Sequence, residues 1–114
     1  MTTVEKRLLS ASSDGQPVVV AATASTGTVI HTAVSGSTNL DEIWLWATNT
    51  DTVLRTLVLQ WGNTSRLRSF PLDPNVETLI APGWLLRNGL VVNAYSAGTA
   101  NKIELIGHVH RITP

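Results

Sequence analysis

The chain has 114 residues, no cysteine, and eight basic against eight acidic residues, so its formal net charge is zero. This length suits a single domain, and the lack of cysteine excludes a disulfide framework and the common zinc-finger ligand sets. Charged residues make up 14% of the chain, against roughly 25% in ordinary soluble domains. A surface this poor in charge, with no basic stripe for nucleic acid, favours a protein that works docked onto another one.

Residues 1–15 are predicted to form an N-terminal arm or edge segment, ahead of a single β-sandwich domain over residues 16–114. Leu8 and Leu9 are the strong apolar pair of this segment, and Ser10–Gly15 has loop composition. A frayed terminus is the alternative. The start lacks the features of a secretory signal, and no run of 18 apolar residues occurs, so we expect cytoplasmic synthesis and no membrane partner.

Short β-branched and apolar runs, separated by turn residues, predict about eight strands. No window shows helical periodicity over more than two turns. The pattern therefore predicts an all-β protein, an antiparallel β-sandwich that is jelly-roll-like if the strand order is a double Greek key. The predicted strands cover residues 16–24, 28–34, 40–49, 54–61, 67–72, 76–80, 90–96 and 102–112.

The strand predicted over 40–49 carries bulky apolar side chains on both faces. Ile43 and Leu45 share one face, whereas Trp44 and Trp46 share the other. We therefore expect this strand to be covered on both sides, by the domain's own core and by either a second sheet or another subunit. Residues 54–61 are predicted as its hairpin partner.

Trp44 and Trp46 also allow a second interpretation. Two residues along a strand span roughly 7 Å, so the two indole rings could form a flat platform for a glycan. Packing between the two sheets is the more frequent use of such residues, and it is the interpretation that we favour from the sequence.

Three consecutive large apolar residues, Trp84, Leu85 and Leu86, follow Pro82–Gly83, which is predicted to end the preceding strand. Exposed apolar clusters of this kind usually mark contact sites. The cluster is predicted to lie in a loop, which either folds back over the open end of the sandwich or inserts into a neighbouring molecule.

The last two predicted strands, 90–96 and 102–112, are expected to pair with each other. Asn88–Gly89 precedes them and is a strong hairpin signal, because both residues tolerate positive φ.

The sequence lacks the residue patterns of an enzyme site. No Gly-x-Ser-x-Gly elbow or phosphate-binding glycine loop occurs. Asp41 and Glu42 are adjacent in a strand and are expected to point to opposite faces, so they cannot act as a carboxylate pair. We therefore expect neither catalysis nor a cofactor.

His108 and His110 form a weak candidate for a metal site. Their spacing of two places both imidazoles on one strand face, and His31 or Glu104 could add a third ligand. A pair of exposed or interface histidines is the commoner arrangement, so no metal is predicted.

Several motifs resemble those of small structural proteins encoded beside the capsid genes of tailed bacteriophages. The likeness covers residues 40–112, and the first 40 residues carry none. The motifs are Ile43-Trp44-Leu45-Trp46-Ala47-Thr48-Asn49-Thr50-Asp51, Leu57-x-Leu59-x-Trp61-Gly62, Ile80-Ala81-Pro82-Gly83, Asn88-Gly89-Leu90-Val91-Val92-x-Ala94-Tyr95 and Gly107-His108-Val109-x-Arg111-Ile112.

The resemblance implies a capsid decoration (cement) protein, made in the host bacterial cytoplasm and bound to the outer surface of the virion head. It implies the major capsid protein as partner and self-association as a homotrimer. Alternatives are a glycan-binding adhesion module of the virion, using Trp44 and Trp46, and a tail or head–tail connector subunit. The expected protein contacts are Val4, Leu8 and Leu9, or Trp84, Leu85 and Leu86.

Overall fold

The computed structural model describes residues 2–114, in which nine strands and no helix occur. Accordingly, no helix in this part of the chain is long and apolar enough to cross a membrane. The strands are β1 (Thr3–Leu8), β2 (Val18–Val19), β3 (Thr28–Thr32), β4 (Leu40–Asn49), β5 (Arg55–Trp61), β6 (Leu67–Leu72), β7 (Glu77–Leu86), β8 (Val91–Tyr95) and β9 (Ile103–Thr113).

The strands form two antiparallel sheets. The first sheet has the order β1-β9-β4-β7, with β2 beside β1 along the same edge of β9, and the second has the order β3-β8-β5-β6. From β2 onward, the chain passes between the sheets at every connection except the β5–β6 hairpin, in the order of a double Greek key, which is the jelly-roll arrangement. The prediction of an all-β antiparallel sandwich is therefore confirmed.

The predicted hairpins are wrong, although the strand positions are close to those observed. β4 pairs with β7 and β9, whereas β5 lies in the second sheet beside β6 and β8. β8 and β9 likewise lie in different sheets, and Asn88–Gly89 connects β7 to β8 across the sandwich. Both turn residues have positive φ, so the turn was predicted at the right place, but it crosses between the two sheets instead of closing a hairpin.

The prediction that a strand ends at Pro82–Gly83 is also wrong, because β7 continues to Leu86. In the described residues β7 pairs only with β4, so it is an edge strand. Pro82 has no N–H to donate, but on the free edge of the sheet this interrupts no hydrogen bonds with a second neighbouring strand. The register shifts there, with Ile43 opposite Trp84 and Trp44 opposite Pro82. Gly83 is the extra residue of this bulge, and Trp84-Leu85-Leu86 is strand rather than loop.

The core lies between the inward faces of the two sheets. β4 alternates strictly between buried and half-buried residues, with Ile43, Leu45 and Ala47 on the buried side. Residues from the second sheet, including Leu57 and Leu59, meet them. Burying these side chains supplies the main stabilisation of the fold, at about 1.5–3 kcal/mol for each large one.

The N-terminal segment runs along both sheets. β1 pairs with the second half of β9 as an edge strand, and all six of its residues are exposed. The chain then crosses to β3, where Leu9 is buried and the Ser10 Oγ accepts a hydrogen bond of 2.7 Å from the Thr32 N–H. Residues after β1 are thereby fixed to the sandwich.

Candidate functional site

The outward side of the first sheet, which we call the open face, is the main candidate for a functional surface. Directly opposite residues of antiparallel strands point to the same side, so the register places its side chains in five cross-strand rows. From one end to the other these are Val4–Ile112–Leu40, Lys6–His110–Glu42–Leu85, Leu8–His108–Trp44–Pro82, Ile106–Trp46–Leu79 and Val19–Glu104–Thr48–Glu77.

The open face is unusually apolar for a surface. Six of the eleven exposed large apolar side chains among residues 2–114 lie on it, and two half-buried tryptophans occupy its middle. Several large exposed apolar side chains gathered on one face favour a contact site over an ordinary surface. The six residues are Val4, Leu8, Val19, Leu79, Leu85 and Ile106.

Aromatic rings form the central part of the open face. Trp44 and Trp46 stack with 6.3 Å between ring centroids and 22° between planes. His108 lies 6.0 Å from Trp46, and His110 lies 5.0 Å from His108. Both indoles are thus outside the sandwich, so the favoured interpretation that they pack between the two sheets is wrong. Nothing within residues 2–114 provides the outer cover that was expected for this strand.

Gly83 makes room for the Trp44 ring. A Cβ placed on Gly83 would lie 3.0 Å from the Cζ2 atom of Trp44, and the φ angle of Gly83 is +81°. A side chain there would therefore be strained and would also push against the indole. The bulge in β7 and the ring position are linked through this glycine.

Charged groups lie around the aromatic centre. The Glu42 carboxylate accepts a 2.7 Å hydrogen bond from Trp44 Nε1 and lies 3.3 Å from His110 Nδ1. Partial burial, with smaller effects of His110 and Lys6, lowers the pKa of His108, against an opposing effect of Glu42. Aromatic side chains with charged and polar groups beside them are a composition common in protein interfaces.

The dimensions of the open face fit an interface. The ten residues of β4 and the width of four strands give an area of roughly 34 Å by 19 Å. A flat partner covering this area would bury roughly 1,300 Å² in total, within the range of specific protein–protein contacts.

The predicted contact residues are distributed between the surface and the core. Val4, Leu8 and Leu85 lie on the open face and are exposed. Leu9 and Leu86 are buried in the core of the single chain. Trp84, the sixth residue, points inward and packs against the core from the edge, half-buried.

A buried polar cluster, which sequence reasoning missed, lies on the inner side of the first sheet. The Asp41 carboxylate is fully buried and accepts hydrogen bonds from His31 Nε2 at 2.9 Å, from Arg111 at 2.8 and 3.0 Å, and from the Val34 N–H at 3.1 Å. Burial alone would raise the pKa of Asp41, but these bonds outweigh it and lower the pKa below 3.8.

The Asp41–His31 pair has the geometry of a catalytic acid–base pair but lacks a free imidazole nitrogen. The Ser10 N–H donates to His31 Nδ1 at 3.0 Å, and His31 is 2% exposed. The imidazole is thus hydrogen-bonded at both nitrogens, which fixes its tautomer and leaves no nitrogen to accept a nucleophile's proton. The cluster ties the segment after β1 to β3, β4 and β9.

The prediction that Asp41 and Glu42 point to opposite faces is confirmed, since Asp41 is in the core and Glu42 is on the open face. His108 and His110 are neighbours on that face. Among residues 2–114, no group of three or more His, Cys, Asp or Glu side chains is arranged to hold a metal ion.

A second candidate site is a groove of about 340 Å³ lined by Trp61, Arg68 and Trp84, which we call the edge groove. These residues come from β5, β6 and β7, so the groove lies where the edges of the two sheets meet. Sequence reasoning missed it, because only the folded sandwich brings β7 beside the β5–β6 hairpin.

Comparison with known proteins finds no match: no protein family, no curated protein and no solved structure matches this chain.

Proposed function

We propose that the chain is a phage capsid decoration (cement) protein that docks on the outer surface of the head and stabilises the capsid lattice. The observation that carries this proposal is the open face, an apolar sheet surface with a tryptophan pair at its centre that no part of residues 2–114 covers. The jelly-roll fold, the low charge and the resemblance to capsid-associated phage proteins also support it.

The open face is proposed to contact the major capsid protein. Trp44 and Trp46 form the centre of the contact, where aromatic residues contribute most to binding. Leu8 and Leu85 flank this centre on β1 and β7. Val4 extends the contact at one end of the sheet.

Stabilisation of the head follows from mass action. A protein that binds the assembled lattice but not the free subunits stabilises the lattice by an amount that rises with its concentration. In a trimer, three weak contacts reinforce one another through effective concentration, provided that the geometry allows all three to form.

The test compares two substitutions at leucines of nearly equal exposure. Leu85 is 56% exposed on the open face, whereas Leu54 is 54% exposed outside it. Leu85→Glu should weaken the affinity for expanded empty heads, measured by co-sedimentation, by roughly 30-fold, or about 2 kcal/mol, because it places a charge in the contact. Leu54→Glu should bind as the wild type does.

Heat disruption of the heads gives the second readout. Bound wild-type protein should raise the disruption temperature, whereas Leu85→Glu should not. Light scattering of the free protein separates decoration from the connector alternative, since a ring larger than a trimer favours the connector. Equal binding by both variants would contradict the proposed contact surface.

A further inference from the structure

The edge groove has a rigid aromatic wall. The Trp61 and Trp84 rings meet edge to face, with centroids 5.1 Å apart and planes at 83°. Both side chains are half-buried and pack against the core. Two large rings held in this way form a preorganised corner, which lowers the entropy cost of binding a ligand.

The open side of the groove carries positive charge. Arg68 is exposed, and its side-chain hydrogen bond goes to the Leu67 carbonyl at 3.1 Å. Arg66 precedes it on the same hairpin, and its carbonyl accepts a 2.9 Å bond from the Trp61 N–H. In the described part of the chain, all ion pairs involve other residues, so neither guanidinium has a carboxylate partner.

We propose that the edge groove binds an acidic sugar. The C–H face of the sugar ring would rest on an indole of the corner, because indole faces carry negative charge and attract weakly positive C–H groups. The ring carboxylate would pair with the Arg68 guanidinium, whose fork of N–H groups matches a carboxylate. The volume of about 340 Å³ lies at the low end for ligand pockets and suits one or two sugar rings.

Two alternatives fit the groove less well. A nucleobase would be held best between parallel aromatic faces, whereas these two planes are nearly perpendicular. A neutral sugar would use the indoles but would leave the Arg68 guanidinium without an anion. The unpaired charge is therefore the feature that selects an acidic ligand.

This inference does not rest on the capsid proposal. The groove lies on the inner side of β7, because Trp84 is opposite the buried Ile43, and the open face lies on the outer side. The same chain could hold a partner on its open face and an acidic polysaccharide at its edge. That second activity would attach the protein to cell-surface or capsular glycans.

The test uses a trisaccharide of galacturonic acid as the acidic probe and the matching galactose trisaccharide as the neutral probe. In NMR titrations of the full chain, the indole N–H signals of Trp61 and Trp84 should shift with the acidic probe. The signals of Trp44 and Trp46 should stay in place, which separates this groove from a glycan platform on the open face. The neutral trisaccharide should bind at least about tenfold more weakly.

Arg68→Gln should weaken binding of the acidic probe by about tenfold or more, since it removes the charge-assisted pair. Arg87→Gln is the matched control, because Arg87 is also exposed, with a hydrogen bond to the Ser37 carbonyl, and should bind as wild type. Arg68 is exposed, so its replacement should not affect folding. Leu85→Glu should also bind the probe normally, so the two proposals can fail separately.

Several results would overturn the inference. No binding at millimolar concentrations would do so, as would equal binding of the acidic and neutral trisaccharides. Unchanged affinity of Arg68→Gln, or shifts confined to Trp44 and Trp46, would also contradict it. Tighter binding of adenosine monophosphate or of an acidic peptide would show that the groove selects another class of ligand.

Discussion

Asp41 shows how one residue can fix several elements at once. Its carboxylate holds His31 on β3 and Arg111 on β9, and the Ser10 N–H completes the network at the far side of the imidazole. Since the carboxylate is fully buried, its partners depend on it for their hydrogen bonds. A buried charge that loses its partner is costly.

Asp41→Ala is therefore expected to lower the free energy of unfolding by about 3–5 kcal/mol, because Arg111 and His31 would lose their buried acceptor. Chemical denaturation with Trp fluorescence measures this. Asp51→Ala is the control, since it removes the partly exposed Asp51–Arg55 pair, and it should cost much less. A loss as small as that of the control would show that the cluster is not structurally important.

The lowered pKa of Asp41 predicts a specific acid response. A carboxyl group whose pKa is lower in the folded state stabilises the protein fully at pH values above its pKa in the unfolded state, taken as 3.8. This stabilisation is lost as the pH falls through the lower pKa of the folded state. Denaturation curves from pH 6 to acid should therefore show stability falling below about pH 4. Asp41→Asn should be less stable at neutral pH and should show a shallower acid loss.

Gly83 allows a comparison with a matched glycine. Gly83→Ala should destabilise the protein by about 2–5 kcal/mol, because the backbone cost of a positive φ and the contact of the new methyl group with the Trp44 ring add. Gly89 has φ of +67° with no atom near its added Cβ, so Gly89→Ala carries only the backbone cost, about 1 kcal/mol. Thermal melting of both variants measures the difference. Equal losses would show that the ring contact is unimportant.

At the scale of elements, β1 contributes area to the open face but little to the core. All its residues are exposed, and its ladder with β9 is its main contact. Deleting residues 2–8 should therefore leave a folded sandwich that keeps Leu9 buried, but with weaker binding to heads. Circular dichroism and head sedimentation measure the two effects. Loss of the fold on this deletion would contradict the account, and so would unchanged binding.

The sequence predicted strand positions well because alternation is a local property. β4 was placed at Leu40–Asn49, as observed, from its two-residue period. Strand pairing was predicted poorly, since in this jelly roll most consecutive strands lie in different sheets and the turn residues do not reveal which connections cross. Asn88–Gly89 has the expected positive φ values but joins two different sheets.

Parts of the candidate sites were also visible in the sequence. The alternation of β4 put Trp44 and Trp46 on one face and Ile43 and Leu45 on the other, as observed, but it did not show which face is the core. Asp41 was predicted only to point away from Glu42, and its buried cluster was missed. The partners His31 and Arg111 are 10 and 70 residues away in the chain, so only the fold could show them. The edge groove depends on β7 crossing near β6, which also needed the structure.

At the scale of the whole molecule, docking of the open face should depend on pH. Partial burial lowers the pKa of His108, with smaller contributions from the charges of His110 and Lys6, and Glu42 acts in the opposite direction. Further burial under a partner favours the neutral imidazole more strongly. Binding should therefore weaken as the pH falls through the lowered pKa of His108 in the free protein, which lies below the ordinary value of 6.5.

Head sedimentation from pH 7.5 down to about pH 4.5, a range that extends well below the ordinary histidine pKa, measures this dependence. His108→Gln should flatten it, because the neutral amide does not titrate. His31→Gln is not a suitable control, since it would disturb the buried cluster around Asp41. Identical pH profiles for the wild type and His108→Gln would show that His108 does not face the partner.

The central claim is that a partner covers the open face. Hydroxyl-radical footprinting of the protein, free and bound to expanded heads, tests it most directly. The account predicts strong protection of Trp44, Trp46 and Leu85 on binding, with Leu54 labelled equally in both states. Bound protein in which both tryptophans stay as reactive as in the free chain would contradict the claim.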